Sequence, residues 1–218
     1  MTGVATEVVL IGGRTIGRTL LDRLAIDPRF RVVAIIDDGL AVHAIDGVPV
    51  ASFLSYEHPC RTAILALGMP EDKRFYRDKA ANLGFRFISF IDQSALVGKS
   101  ACIGNGSIVM PFASVVDGSR LGEFVYISFY SGVGKGGELG DYSTVMDHSS
   151  VRAAQIGDDV VLAGAVHIME GAHVGRASWV APGTILRNPM PPGQLIWGQS
   201  LRARHRARRP KDRIAPGA

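Results

Sequence analysis

Residues 103–127 read IGNGSIVMPFASVVDGSRLGEFVYI, and the spacing of five side chains in that stretch decides the fold. Ile103, Val109, Val115, Leu121 and Ile127 stand six apart. The same beat runs back through Val97 to Ile91 and forward through Val133, Leu139, Val145 and Val151. After one five-residue step it resumes at Ile156, Leu162, Ile168, Val174, Val180 and Leu186. A helix repeats every 3.6 residues and a flat strand every 2, so neither yields a period of six. A coil of three short strands per turn does, each strand pointing one aliphatic side chain inward.

Glycine follows the aliphatic residue at Gly104, Gly122, Gly140, Gly157 and Gly175, once in every three hexads. Three hexads therefore make one turn, and one corner of each turn carries glycine, for positive φ or for room to bend. The single deletion between Val151 and Ile156 has to be absorbed at a corner. Stacked turns then lie about 4.8 Å apart, the spacing of paired strands.

The preceding third of the chain alternates between strand and helix patterns. EVVLIGG (Glu7–Gly13) reads as a strand entering a glycine turn, and Ile16, Leu20, Leu21 and Leu24 take helical spacing. RVVAIIDD (Arg31–Asp38) and AILALG (Ala63–Gly68) read as buried strands, Lys73–Leu83 as a helix, and Phe85–Ile91 as a strand leading into the coil. This order describes a small parallel, Rossmann-like α/β unit. Ligands of such sheets bind at the carboxyl ends of the strands, which makes Gly12, Gly13, Arg14, Asp37 and Gly68 the candidate substrate-binding residues. A dinucleotide loop wants glycines at relative positions 0, 2 and 5. Gly12 and Gly17 supply the first and last, but Arg14 takes the middle place. That side chain obstructs a close backbone approach to pyrophosphate and offers a guanidinium to phosphate instead. The pattern thus disfavours a hydride-transferring cofactor.

The expected organisation is an α/β unit over 1–90, a parallel β-helix over 91–190, and a cap with a basic tail over 191–218. The net charge of +4 comes from the tail, where Arg202, Arg204, Arg206, Arg208, Arg209, Lys211 and Arg213 face only Asp212. The body is slightly acidic, so nucleic acid is not an expected partner. No apolar run approaches the roughly 20 residues that span a bilayer, and the N-terminus lacks a signal-peptide pattern. Cys60 and Cys102 read as free thiols in a reducing cytoplasm.

A small α/β unit with VVLIGG and AIIDD, followed by hexads, resembles the sugar O/N-acyltransferases of the sialic acid O-acetyltransferase type, which include the bacillosamine and perosamine N-acetyltransferases. The resemblance covers about residues 7–201. It implies a left-handed parallel β-helix, an exception to the right-handed crossover rule. It also implies a homotrimer with sites between neighbouring coils, a nucleotide-linked sugar held by the N-terminal unit, acetyl-CoA lying toward the C-terminus, and a coil histidine as general base. MPPGQLIWGQSLR (Met190–Arg202) is the counterpart of the family's Pro-rich turn and Gly-x-Pro-Ala, with Gly198 matched and Gln199, Ser200 and Leu201 different.

The family's Val-x-His-Asp falls on Val133-Gly134-Lys135-Gly136, so Lys135 stands where the histidine belongs. One coil later comes Val145-Met146-Asp147-His148. Three readings follow: His148 is the base with Asp147 in support; Lys135 is the base after desolvation; or the protein binds a sugar nucleotide without catalysis. For the acyl-CoA, Ala163, Gly164, Ala181 and Gly183 leave backbone open to a flat pantetheine arm. Arg187, Arg202 and Arg204 are candidates for its phosphates, and Trp197 for its adenine or for the end of the coil. His167 and His173, six apart, belong to neighbouring faces of the coil, and no metal is expected.

Overall fold

The computed structural model describes residues 4–197. The hexads wind as expected: strands of two residues each, from Phe90–Ile91 to Leu195–Ile196, stack in parallel into three sheets of seven, six and five strands. Each hexad aliphatic pairs with its counterpart one turn on, as in Val109 with Ile127 and Ile127 with Val145. Together they fill the interior, where Val109, Val115, Ile127, Val133, Val145, Val151, Leu162 and Ile168 have no accessible surface. The parallel solenoid agrees with a left-handed β-helix. The deletion is taken up at the corner between Val151 and Gln155, where Ala153 has φ +38°. The coil also continues into the stretch expected to cap it: Leu195–Ile196 pairs with Trp179–Val180.

The repeating glycines serve a purpose other than the two named for them. Gly104, Gly122, Gly140, Gly157 and Gly175 do not have positive φ; they permit close stacking. A Cβ on Gly140 would sit 2.3 Å from Asp158 Oδ1 and 2.5 Å from the Asp158 backbone nitrogen. The left-handed corners are filled mainly by other residues, among them Phe112, Phe124, Tyr130, Tyr142 and His148, with φ between +54° and +62°.

The N-terminal strands are β1 (Thr6–Ile11), β2 (Phe30–Ile36), β3 (Ala44–Ile45), β4 (Val48–Ala51), β5 (Thr62–Leu65) and β6 (Arg86–Phe87), with helices α1 (Thr15–Ala25) and α2 (Pro70–Asn82). They form one sheet in the order β3-β4-β2-β1-β5-β6. The sequence predicts a purely parallel unit; the sheet is mixed, because β3 and β4 form an antiparallel hairpin. Asp46 and Gly47, both at positive φ, make its tight turn. Phe85–Ile91, read as one strand, divides in two: β6 joins the N-terminal sheet and Phe90–Ile91 opens the solenoid.

The packing that matters for function lies between these two parts. Residues preceding the inward aliphatic point outward, and on the seven-stranded sheet these are Phe90, Ile108, Tyr126, Thr144, Val161, Trp179 and Leu195. Phe90, Ile108 and Tyr126 share a core with Val8, Leu10, Leu20 and Ile64 of the N-terminal unit. The cover ends below Val161, which is still buried: Trp179 is 38 % and Leu195 59 % exposed.

Close stacking and left-handed corners make different demands, which two alanine substitutions separate. Gly140→Ala should lower unfolding free energy by about 3 kcal/mol through backbone overlap. Gly171→Ala, at φ +76° with nothing within 4 Å, should cost only about 1 kcal/mol of backbone strain. Urea denaturation of the two variants measures the difference.

Candidate active site

Two polar devices position the walls of the candidate site. The first is the β1–α1 turn. Gly12 has φ +104°, and a Cβ on Gly17 would lie 2.0 Å from the Gly12 carbonyl oxygen, so helix and turn can meet only if residue 17 is glycine. Asp37 braces this turn: its Oδ2 accepts the Gly13 N–H at 2.8 Å and its Oδ1 the Gly39 N–H at 2.9 Å. Arg14 occupies the N-cap of α1 without a side-chain cap, and the first turn of that helix carries no acid. Its guanidinium reaches the Gly39 carbonyl at 3.4 Å.

The second device is Lys73, which the sequence reading placed only within a helix. It is 2 % exposed and projects from α2 into the solenoid edge. Nζ donates to the carbonyls of Phe124, Tyr142 and Ser143 at 3.0, 3.1 and 3.2 Å, and to Thr144 Oγ1 at 2.7 Å. Thr144 Oγ1 in turn donates to the Gly68 carbonyl at 2.6 Å. Burial pushes the Lys73 pKa down to about 7. The negative charge of Asp159 acts the other way, favouring the ammonium. Arg74 reinforces the contact with a two-pronged ion pair to Asp159 at 2.7 and 3.0 Å, and its guanidinium lies 4.0 Å from the Tyr142 ring centroid.

Between these devices lie two adjoining cavities. One, of about 300 Å³, is lined by Gly12, Arg14, Asp37, Gly39 and Tyr76, among others. The other, of about 580 Å³, shares Arg14, Leu67 and Asp72 with it and adds Thr15, Gly68, Met69, Thr144, Met146, Asp147, Val161, Ala163, Gly164 and Trp179. The second cavity therefore brings together residues singled out separately for substrate (Arg14, Gly68), catalysis (Asp147) and acyl donor (Ala163, Gly164). Gly13 abuts Leu40, Ile35 and Ile45 and lines neither cavity. Ala181 and Gly183 stand one coil below Ala163 and Ala165; the Gly183 N–H donates to the Gly164 carbonyl at 3.0 Å. Arg202 and Arg204 lie outside the described residues, as do Gly198 and the three residues after it.

His148 and Lys135 occupy different edges of the prism. His148 ends an exposed ladder of rings: it stacks on Tyr130 at 5.2 Å and 3°, and Tyr130 on Phe112 at 5.2 Å. Lys135 is exposed beside Gly136 on the next edge, across the six-stranded sheet. Neither lines the two cavities. On that sheet's outer face Ser150 Oγ and His167 Nδ1 are 2.9 Å apart. Among the described residues no three His, Cys, Asp or Glu side chains gather as metal ligands, and no helix is long and apolar enough to cross a membrane.

Trp179, Val161 and Thr144 were not singled out from sequence, yet a signal existed. They precede every third hexad aliphatic, a column that is mostly apolar although it faces outward. Asp72 and Ser128 carried no such mark.

No protein-family model matches the chain, and no curated protein matches it. Solved structures do. The acetyltransferase domain of PglB from Neisseria gonorrhoeae is 23 % identical, with a TM-score of 0.82 over 88 % of this chain and 96 % of that one. WeeI from Acinetobacter baumannii is 20 % identical, with a TM-score of 0.70 over 88 % and 97 %. PerB from Caulobacter crescentus, solved with CoA and GDP-perosamine, is 24 % identical, with a TM-score of 0.65 over 87 % and 93 %. The chain shares their fold.

If Lys73 pins α2 to the solenoid, Lys73→Met should cost about 3 kcal/mol at pH 7, because buried acceptors lose their donor. The sign of the pH effect follows from the lowered pKa. The unfolded chain holds this proton with the usual pKa of 10.5 and so binds it more tightly than the native state. Wild type should therefore gain stability relative to Lys73→Met as pH rises from about 7 toward 10. Denaturation curves across that range check both statements.

Proposed function

We propose that the protein is an acyltransferase that moves an acetyl group from acetyl-CoA to an amine or hydroxyl of a nucleotide-linked sugar. One observation carries this reading: a single cavity joins the strand ends of the α/β unit to the coil positions Asp147, Ala163 and Gly164. Phosphates of the sugar nucleotide are assigned to the acid-free N-terminus of α1 and to Arg14, a position that favours anions. Its nucleoside takes the smaller cavity beside Asp37, in what we read as a Rossmann-like half. The sugar then extends over Leu67 and Gly68 toward Asp147. The thioester arm takes the Ala163–Gly164 and Ala181–Gly183 steps, where side chains are small, and Arg202 is assigned to the CoA phosphates.

PerB, of the same fold, was solved with CoA and GDP-perosamine, which supports a CoA thioester and a sugar nucleotide as the two ligands. The proton acceptor is assigned to the Asp147–His148 turn, since Lys135 stands on another edge. The assembly is proposed as a homotrimer, supported by the small outward residues Ser114, Gly132 and Ser150 on the six-stranded sheet.

Incubation with acetyl-CoA and UDP-, GDP- or dTDP-linked aminosugars should release free thiol with one of them. Ligand-dependent melting without thiol release would instead favour a sugar-nucleotide-binding protein without transferase activity. Gly164→Leu probes the donor arm. A Cβ there meets only the Asp147 carbonyl, at 3.7 Å, so the fold should tolerate it while KM for acetyl-CoA rises at least about tenfold. An unchanged KM would remove Gly164 from the donor path.

A further inference from the structure

Within that acyl-transfer reading, on which this inference rests, we propose that the Asp147 carboxylate, held by Ser128, is the proton acceptor, and that the His148 imidazole is not. Asp147 lines the cavity and His148 does not. The two are neighbours in sequence, but the corner turns them apart. His148, at φ +58°, is held flat against Tyr130 in a ring ladder whose other members, Tyr130 and Phe112, are 56 % and 58 % exposed.

Asp147 is anchored from behind. Ser128, 2 % exposed, donates its hydroxyl to Asp147 Oδ1. Tyr126, itself buried, places its hydroxyl 3.3 Å from Ser128 Oγ. Among the described residues Oδ2 has no hydrogen-bond partner, leaving one oxygen free to receive a proton. Below it, the Asp147 carbonyl accepts the Ala165 N–H at 2.8 Å, so the carboxylate sits one coil from Gly164, where the thioester arm is assigned. The other ionisable groups of the cavity are Arg14 and Asp72. Asp72 belongs to α2 on the opposite wall, and Arg14 is assigned to phosphate.

The step balances without another reactant. The sugar nitrogen or oxygen attacks the thioester carbonyl carbon while its proton passes to Asp147 Oδ2. The carbon–sulfur bond then breaks, and the carboxylate returns the proton to the departing CoA sulfur. Ser128 is a positioning residue. Its hydrogen bond fixes which way the carboxylate faces.

The test is thiol release from acetyl-CoA with the aminosugar nucleotide that wild type uses, measured across pH on the full chain, alongside melting temperatures and nucleotide-sugar affinity. Asp147→Asn keeps an oxygen for Ser128 and should melt as wild type does. It should bind the sugar nucleotide normally and lose at least about a hundredfold in kcat, the scale of a general base. Ser128→Ala should lower kcat about tenfold with KM unchanged, and Ser128→Thr, which keeps the hydroxyl, should restore most of it. His148→Asn, a residue suited to positive φ, should lose far less than Asp147→Asn. An Asp147→Asn enzyme within about threefold of wild type overturns the assignment, as does a His148→Asn enzyme more impaired than Asp147→Asn. A wild-type kcat in Ser128→Ala, or a Ser128→Thr enzyme no better than Ser128→Ala, overturns the positioning role. Wild type that releases no thiol with any UDP-, GDP- or dTDP-aminosugar overturns the transferase reading, and this assignment with it.

Discussion

Everything that resembles a site in this protein depends on how far one sheet of the solenoid is covered. The outward residues of the seven-stranded sheet are mostly apolar; the N-terminal unit packs over Phe90, Ile108 and Tyr126, Thr144 and Val161 are buried below them, and Trp179 and Leu195 stay open. Burying an apolar side chain of that size is worth about 2 kcal/mol, so the cover is held mainly by this face. Lys73 fastens it at Thr144. One buried ammonium gathers three coil carbonyls and the Thr144 hydroxyl, which holds the Gly68 carbonyl. The groove is the step left where an α/β unit sits on a longer prism.

That step brings together two kinds of chemistry. On one side are strand ends and an open helix N-terminus, suited to phosphates. On the other are coil corners with small side chains and one carboxylate braced by a buried hydroxyl. Neither side is a complete site. Because Arg14, Leu67 and Asp72 line both cavities, a ligand bound at the strand ends is directed toward Asp147.

The solenoid was legible because its constraint is strictly periodic. A prism interior accepts one aliphatic side chain per strand, and the hexads report that directly. The glycine column was legible too, although its cause is the close approach of successive coils at Gly140 and its equivalents. The hairpin at Ala44–Ala51 was not legible because its strands, of two and four residues, are too short to show a period. The site was legible in pieces: Arg14, Gly68, Asp147, Ala163 and Gly164 were each named from local pattern, and they line one cavity. Their partners were not legible. Lys73 looks like any helical lysine, and Ser128 like any coil serine, until the fold places one against carbonyls and the other against Asp147. The division between Asp147 and His148 was equally hidden, since sequence adjacency says nothing about which way a left-handed corner turns two successive side chains.

The claim that a sugar nucleotide and a CoA thioester meet where the cover ends is tested most directly by amide hydrogen exchange with each ligand and with both. The account expects the sugar nucleotide to protect residues 12–17 and 66–69, CoA to protect residues 161–165 and 181–184, and the two together to deepen protection around Thr144–Asp147. Protection confined to the Lys135 edge, or to the far face bearing Arg120 and Glu138, would contradict it.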